Sequence, residues 1–252
     1  MAIIRLDRYL ADAGQGTRSR VKQLVRKGSV TVNGAVVKQA DCKVNTDSDC
    51  VAVDGRILTF SEYQYFMLHK PAGVVSATTD GRNKTVLELI EEKKRRDLFP
   101  VGRLDKDTEG LLIITNDGKL ANQLLAPGRH VDKLYYAEVA GEVTEETIAD
   151  FREGLDIGDE ALTAPARLRL ISCDREKRSG MTDTVPVSRI EIVITEGRYH
   201  QIKRMFQAVG MEVLYLKRLS MGPITLDRSL ACGAYRALSK QEIDLLKGVH
   251  EA

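Results

Sequence analysis

The chain has 252 residues, enough for one large domain or for a small domain joined to a larger one, and two domains are expected. Apolar residues make up 43% and charged residues 29%, the make-up of an ordinary globular protein, which excludes disordered and fibrous classes. The formal net charge of +2 hides an asymmetry: up to Ala40, eight basic residues stand against two aspartates, an excess of six, so the remainder carries a net −4.

No segment reaches transmembrane length, and "MAIIRLDRYL" places charges where a signal peptide needs apolar residues, so a cytoplasmic protein without membrane contact is expected. Cys42, Cys50, Cys173 and Cys232 form no CxxC pair and have no paired histidines at ligand spacing. Four reduced thiols, no metal and no cofactor are the expectation.

In chain order, "RLDRYLADAG" reads as a short helix with Leu6, Tyr9, Leu10 and Ala13 on one face and Gly14 as its stop. "TRSRVKQLVRKG" reads as a second helix, capped by Thr17 or Ser19, with Val21, Leu24 and Val25 inward and Gly28 closing the end. Arg18, Lys22 and Arg26 recur every four residues and so share an outward basic stripe. The period then changes to two in "SVTVNGAVV", where Asn33-Gly34 suits a type I′ hairpin turn, and "CVAVDGRIL" reads as another short strand and turn. A basic stripe is by itself most simply a solvated helix face. The order helix, basic helix, "VTVNG" hairpin, however, resembles the S4 RNA-binding domain. That resemblance implies an RNA-contacting module over residues 1–58, with Arg18, Lys22 and Arg26 on phosphates.

A short connection, "TFSEYQ", leads into the apolar run "YFMLHKPAGVV", and the boundary is expected near Ser61, with a second domain over 61–252. Strand-like segments "LLIITND", "LYYAEVAGEV", "ARLRLIS", "RIEIVITEG" and "VLYLKRL" alternate with helical "TEETIADFREG" and "RYHQIKRMFQAVG". Without regular βαβ alternation this is an α+β pattern.

One stretch poses a chemical question. "GRLDKDTEGLL" sets Asp105, Asp107 and Glu109 within five positions and then turns apolar. Asp105, Asp107, Glu109 and Gly110 match positions 1, 3, 5 and 6 of an EF-hand loop, but Ile113 falls at position 9 and Asn116 at position 12, where the loop needs a bidentate glutamate, and a helix is needed on each side. An aspartyl-phosphatase motif fails because Thr108 is one place early and "DLFPVGR" is no apolar strand. A glycosidase-like carboxylate pair stays open, since sequence does not give the separation of Asp105 and Asp107. By composition alone, the stretch reads equally as an acidic turn feeding the strand "LLIITND".

A second and a third motif change that balance. "GRLDKDTEGLLIITNDG", "KLYYAEV" and "EGRYHQIKRMFQAVG" occur in this order and together resemble the pseudouridine synthases that modify ribosomal RNA. With the S4 order, "PGRHVDKLYYAEV" and "LTAPARL", the chain looks like the small-subunit type acting on 16S RNA. The resemblance implies an S4-type domain followed by a catalytic domain with a mixed, largely antiparallel sheet and flanking helices. It implies that Asp105 is the essential carboxylate, attacking the ribose or stabilising elimination toward a glycal. Tyr135 would stack under the uracil, and Lys203 would pair with Asp105, although many relatives carry arginine there. Arg103 would fill the space left by a flipped nucleotide or hold its phosphate. Arg198, Arg204, Lys217 and Arg218 are expected on RNA. Tyr136 is assigned to the core, His200 to a structural hydrogen bond, and Asp107, Thr108 and Glu109 to turn-shaping or solvent. The expected partner is ribosomal RNA or a subunit assembly intermediate, bound by a monomer. A 23S-directed synthase and a noncatalytic ribosome-assembly factor are the alternatives.

Overall fold

Local sequence signals account for the amino-terminal elements. In the computed structural model, which describes residues 3–58, 60, 63–91, 97–177 and 184–248, β1 (Ile3–Arg5) runs directly into α1 (Leu6–Asp12). Leu6, Tyr9 and Leu10 are buried on one face of α1. α2 (Arg18–Lys27) starts where the Thr17 side chain accepts a hydrogen bond from the Arg20 amide at 3.4 Å, and ends at Gly28. β2 (Val30–Val32) and β3 (Ala35–Val36) form the expected hairpin, with Asn33 and Gly34 at φ 52° and 82°, the pair of positive values that a type I′ turn requires. β4 (Lys43–Asn45) pairs with β1, and β5 (Val51–Val53) with β6 (Arg56–Ile57) extends the hairpin into the order β3-β2-β5-β6.

Leu6, Leu10, Val21, Val25, Val30, Val44 and Val51 make this unit's core, and Phe60 stacks on Tyr9 at 4.8 Å. Arg18, Lys22 and Arg26 are exposed along α2, as their spacing predicts. The expected boundary at Ser61 lies outside the described residues. The chain groups into one unit reaching Gln64, joined by Glu91, Asp97 and Leu98, and a second holding Tyr65–Ile90 and the chain from Phe99.

The second unit contains β7 (Tyr65–Lys70), β8 (Phe99–Pro100), β9 (Glu109–Thr115), α3 (Gly118–Leu125), β10 (Lys133–Ala140) and α4 (Glu145–Glu153). Then follow β11 (Arg167–Lys177), β12 (Thr184–Ile194), α5 (Gln201–Ala208), β13 (Glu212–Met221), β14 (Ile224–Thr225), β15 (Tyr235–Ala237) and α6 (Lys240–Gly248). Among the described residues the strands join in one sheet, ordered β11-β12-β10-β13-β9-β7-β15, with β8 beside β9 and β14 beside β13. β9 and β13 are parallel over Lys217↔Glu109 and Arg218↔Gly110, while the other paired strands are antiparallel. Gly110 has φ 107°, and a Cβ there would lie 2.2 Å from the Arg218 carbonyl oxygen. The fold is therefore the α+β class expected, with a mixed and largely antiparallel sheet.

Burial follows residue pattern. β7 is buried at all six positions, the polar His69 and the charged Lys70 included. Met67, Leu111 and Ile113 pack with Leu120 and Leu124 of α3 and Leu246 of α6. β10 alternates instead, burying Lys133, Tyr135, Ala137 and Val139. Phe206 of α5 and Phe151 of α4 are both fully buried, with ring centroids 4.7 Å apart. Truncating either to Ala would cost about 3–5 kcal/mol through lost burial and the cavity left behind. No helix among the described residues is long and apolar enough to cross a membrane.

Candidate active site

The acidic turn ahead of β9 is fastened from beneath by its backbone. Ser76 Oγ donates to the Leu104 carbonyl at 2.9 Å and accepts from the Leu104 amide at 3.0 Å. The Gly73 amide donates to the Lys106 carbonyl at 2.7 Å. Lys70, at the end of β7, sends its ammonium to the carbonyls of Asp105 at 2.9 Å, Thr108 at 2.8 Å, Pro71 at 3.1 Å and Lys106 at 3.3 Å. Its side chain is fully buried, and burial pushes its pKa down to about 8 against the opposing charges of Asp107, Asp105 and Glu109. The carbonyl dipoles replace the water that the ammonium has lost, and in return fix the turn's shape.

α5 supplies the facing groups. Its apolar residues Ile202, Met205 and Phe206 are buried, which turns Lys203 toward the acidic turn. Lys203 Nζ lies 3.2 Å from Asp105 Oδ2 and 2.6 Å from Asp107 Oδ1. Burial alone would lower the Lys203 pKa, but the two aspartates outweigh it and raise it. Burial likewise would raise the Asp107 pKa, and the bond and charge of Lys203 bring it below its ordinary value. His200, held at φ 48° just before the helix, places Nε2 3.5 Å from Asp105 Oδ1 and stacks on Tyr199 with centroids 3.9 Å apart.

These groups open onto one cleft, lined by Arg103, Asp105, Thr108, Tyr135, Arg198, His200 and Lys203 beside Ile194, Ile202 and Leu216. Tyr135, buried on β10, shares the cleft with Asp105 although the two are far apart in sequence. Arg103 is exposed at the cleft and makes no ion pair with a described residue, so its guanidinium is open to a ligand. An ammonium already reaches both Asp105 and Asp107, the place a calcium ion would take in an EF-hand loop. A carboxylate beside a cation, an aromatic ring and apolar walls suits a planar, flipped base whose sugar carbon meets the carboxylate.

The RNA pseudouridylate synthase family matches residues 64–208, a span that holds Arg103, Asp105, Tyr135, Arg198, His200 and Lys203. The chain belongs to that family. It is thus an isomerase, and residues 4–50 match the S4 domain, an RNA-binding module. An uncharacterized RNA pseudouridine synthase of Bacillus subtilis is 44% identical over 96% of this chain and 98% of its own length. The ribosomal large subunit pseudouridine synthase B of Bacillus subtilis is 38% identical over 97% of this chain and 96% of its own. The ribosomal small subunit pseudouridine synthase A of Vibrio cholerae is 38% identical over 95% and 98%. A crystal structure of a pseudouridylate synthase, 34% identical, superposes with a TM-score of 0.65 over 96% of this chain and 99% of that one.

The synthase brings Arg103, Asp105, Tyr135, Arg198 and Lys203 to one cleft, and leaves others elsewhere. Arg218 does not face RNA: it is 2% exposed, and its Nε donates to the Leu111 carbonyl at 2.8 Å, because strand alternation turns it inward opposite Gly110. Arg204 spends its guanidinium on the Ile157 carbonyl, Asp159 and the Tyr199 carbonyl at 3.2 Å, so an RNA phosphate would have to displace protein partners. Arg198, though at the cleft, donates to the carbonyls of Ala161 and Leu162, each at 2.7 Å, and pairs with Glu196. Lys217 is half-buried on β13. Tyr136 is not core: it is half-exposed, donating to Glu138 Oε1 at 2.9 Å. Asp107 is largely solvent-exposed, as expected, and also pairs with Lys203. Thr108 is turn-shaping rather than solvated: it is buried at the cleft with its hydroxyl unpartnered, and its amide donates to the Asp105 carbonyl at 3.1 Å, while half-buried Glu109 accepts from the Tyr215 hydroxyl at 2.7 Å. Sequence reading gave no role to Lys70 and Ser76, whose only signal was a charged and a polar residue within "HKPAGVVS".

Proposed function

We propose that this synthase converts a uridine of 16S ribosomal RNA to pseudouridine, as a cytoplasmic monomer acting on ribosomal RNA or a subunit assembly intermediate. The reading rests on the meeting of Asp105, Lys203 and Tyr135 in one cleft. In the reaction the bond from ribose C1′ to uracil N1 breaks, the uracil turns, and C1′ bonds to C5. The C5 proton leaves and N1 gains one, so atoms and electrons balance within the nucleotide. Asp105 attacks the ribose or stabilises elimination toward a glycal, and Lys203 balances its charge. Tyr135 stacks under the uracil and assists removal of the C5 proton. Arg103 takes the space vacated by the flipped nucleotide or holds its phosphate. Arg18, Lys22 and Arg26 hold RNA phosphates, with Lys217 as a further contact.

The small-subunit assignment is supported by several relatives named as small subunit synthases, and by the resemblance that "LTAPARL" carries. The equal identity of a large subunit synthase supports 23S RNA as the second reading. Mapping pseudouridine in both RNAs, with and without the gene and with an Asp105→Asn copy, tests this. A 16S site lost without the gene and not restored by Asp105→Asn is expected. Loss confined to 23S RNA selects the second reading, and unchanged maps of both RNAs overturn the ribosomal assignment.

A further inference from the structure

His69, Glu109 and Cys232 come from three separate parts of the second unit, the end of β7, the start of β9 and the loop before β15, yet their ligand atoms all lie within 4.8 Å of one another. The histidine carries the argument. Its Nδ1 is 2.8 Å from the Leu230 carbonyl, and a carbonyl oxygen only accepts, so Nδ1 bears the hydrogen and Nε2 of the neutral ring presents a lone pair. Nε2 is buried without a hydrogen-bond partner, and the whole residue is 7% exposed. A buried nitrogen lone pair without a hydrogen-bond donor, within 4.8 Å of a carboxylate oxygen and a thiol sulfur, is a place where a metal ion would be the missing partner.

We infer that His69, Glu109 and Cys232 form a zinc site, with His69 Nε2, a Glu109 carboxylate oxygen and the Cys232 thiolate as ligands and the fourth position open to water. The donor set is one nitrogen, one oxygen and one sulfur, the mixture a borderline-soft divalent ion takes. Zinc bonds of about 2.0–2.3 Å in tetrahedral geometry put ligand atoms about 3.3–3.7 Å apart, so the three need to close by about 1 Å, within reach of a rotation of the exposed Cys232. Binding breaks the Cys232 S–H bond and releases the proton to solvent. The resulting thiolate and the Glu109 carboxylate together neutralise the ion.

Supporting bonds are already in place: the Leu230 carbonyl fixes the His69 tautomer, and the Tyr215 hydroxyl donates to Glu109 Oε2 at 2.7 Å, orienting the carboxylate. The four cysteines give no zinc motif in sequence because the ligands are assembled by strand pairing, and this site is an exception to the metal-free expectation. His69 precedes Lys70 and Glu109 follows Thr108, so the ion would staple β7 to β9 directly behind the turn that carries Asp105.

The test uses the full-length protein stripped of metal and titrated with zinc alone against a chromophoric chelator, with bound metal counted by mass spectrometry. One zinc per chain is expected. Cys232→Ser, at an exposed position, should weaken binding at least tenfold, whereas replacing Cys42, Cys50 and Cys173 together by Ser should leave it unchanged. Cobalt in place of zinc should give a thiolate charge-transfer band that Cys232→Ser removes. Zinc should also raise the melting temperature of the native chain by several degrees and that of Cys232→Ser much less. No stoichiometric binding, or binding and a cobalt band that survive Cys232→Ser, overturns the site.

Discussion

Lys203 Nζ stands closer to Asp107, at 2.6 Å, than to Asp105, at 3.2 Å. The Asp107 side chain is 72% exposed, so this contact is screened, while Asp105 and Lys203 are each only 25% exposed and interact more strongly per unit distance. Asp107→Asn should therefore change the single-turnover rate by less than about fivefold, since exposed pairs contribute at most about 1 kcal/mol. Lys203→Met removes the partner of the half-buried carboxylate and should cost about 2–3 kcal/mol, or about 30- to 150-fold. Equal losses from the two variants would show that Lys203 serves the turn rather than Asp105.

Adjacent tyrosines should behave as opposites. Tyr135→Phe keeps the ring in the cleft and removes its hydroxyl, so RNA affinity should hold while turnover falls by about a hundredfold or more, the range of a lost acid–base group. Tyr136→Phe removes a bond to Glu138, which should lower stability by about 1 kcal/mol and leave the rate unchanged. Denaturant melts and single-turnover rates on both variants decide this, and similar mild effects would reverse the assignment of faces.

Lys70 gives the synthase an alkaline limit. With a folded pKa of about 8 against an ordinary 10.5, its proton is lost from the native chain first. The unfolded chain then binds more protons, so this group's contribution to stability rises with pH between those values. Activity should move the other way, because a neutral amine has two hydrogens for the four carbonyls that shape the Asp105 turn. A descending limb with an apparent pKa near 8 is expected in kcat/KM. Burial also pushes Lys133 down to about 8, so Lys133→Met serves as the control. The limb should persist in Lys133→Met and be absent from a slow, pH-flat Lys70→Met; the converse result would assign it to Lys133.

The basic stripe on α2 predicts a salt effect. Changing Arg18, Lys22 and Arg26 together to Gln removes about three phosphate contacts and should lower the slope of log affinity against log salt by about 2, at about 0.7 per contact on single-stranded RNA. Wild type should then lose roughly twentyfold more affinity than the variant between about 50 and 200 mM salt. The rate at saturating RNA should be unchanged. An unaltered slope would remove α2 from the RNA contact.

What could be read from the sequence was what is local. The "VTVNG" hairpin needs two positive φ values that Asn33-Gly34 supplies, and α5 needs only its own apolar spacing, so both stood out. Asp105, Tyr135 and Lys203 were found through motif resemblance, and their convergence required the sheet. Lys70 was illegible because a lysine ending an apolar strand makes sense only once the carbonyls of residues 105–108 surround it. Arg218 misled because a basic residue in a strand looks exposed until register sets it opposite Gly110. α3 was missed because "LLIITND" was read as strand through Asp117, whereas the Asp117 side chain caps the helix by accepting from the Leu120 amide at 3.0 Å.

The parallel contact between β9 and β13 governs more than topology. One wall of the cleft, the Asp105–Thr108 turn, hangs from β9, and the other, with Tyr135, Leu216 and α5, belongs to the strands on the β13 side. These two leaves of the sheet meet along a spine only two residue pairs long, and Gly110 lies flush in it because a methyl group there would strike the Arg218 backbone. The gap between carboxylate and aromatic ring is thus bound like the opening of a book. One added carbon at residue 110 would loosen the binding and part the pages where the chemistry is written, with every reacting side chain still present.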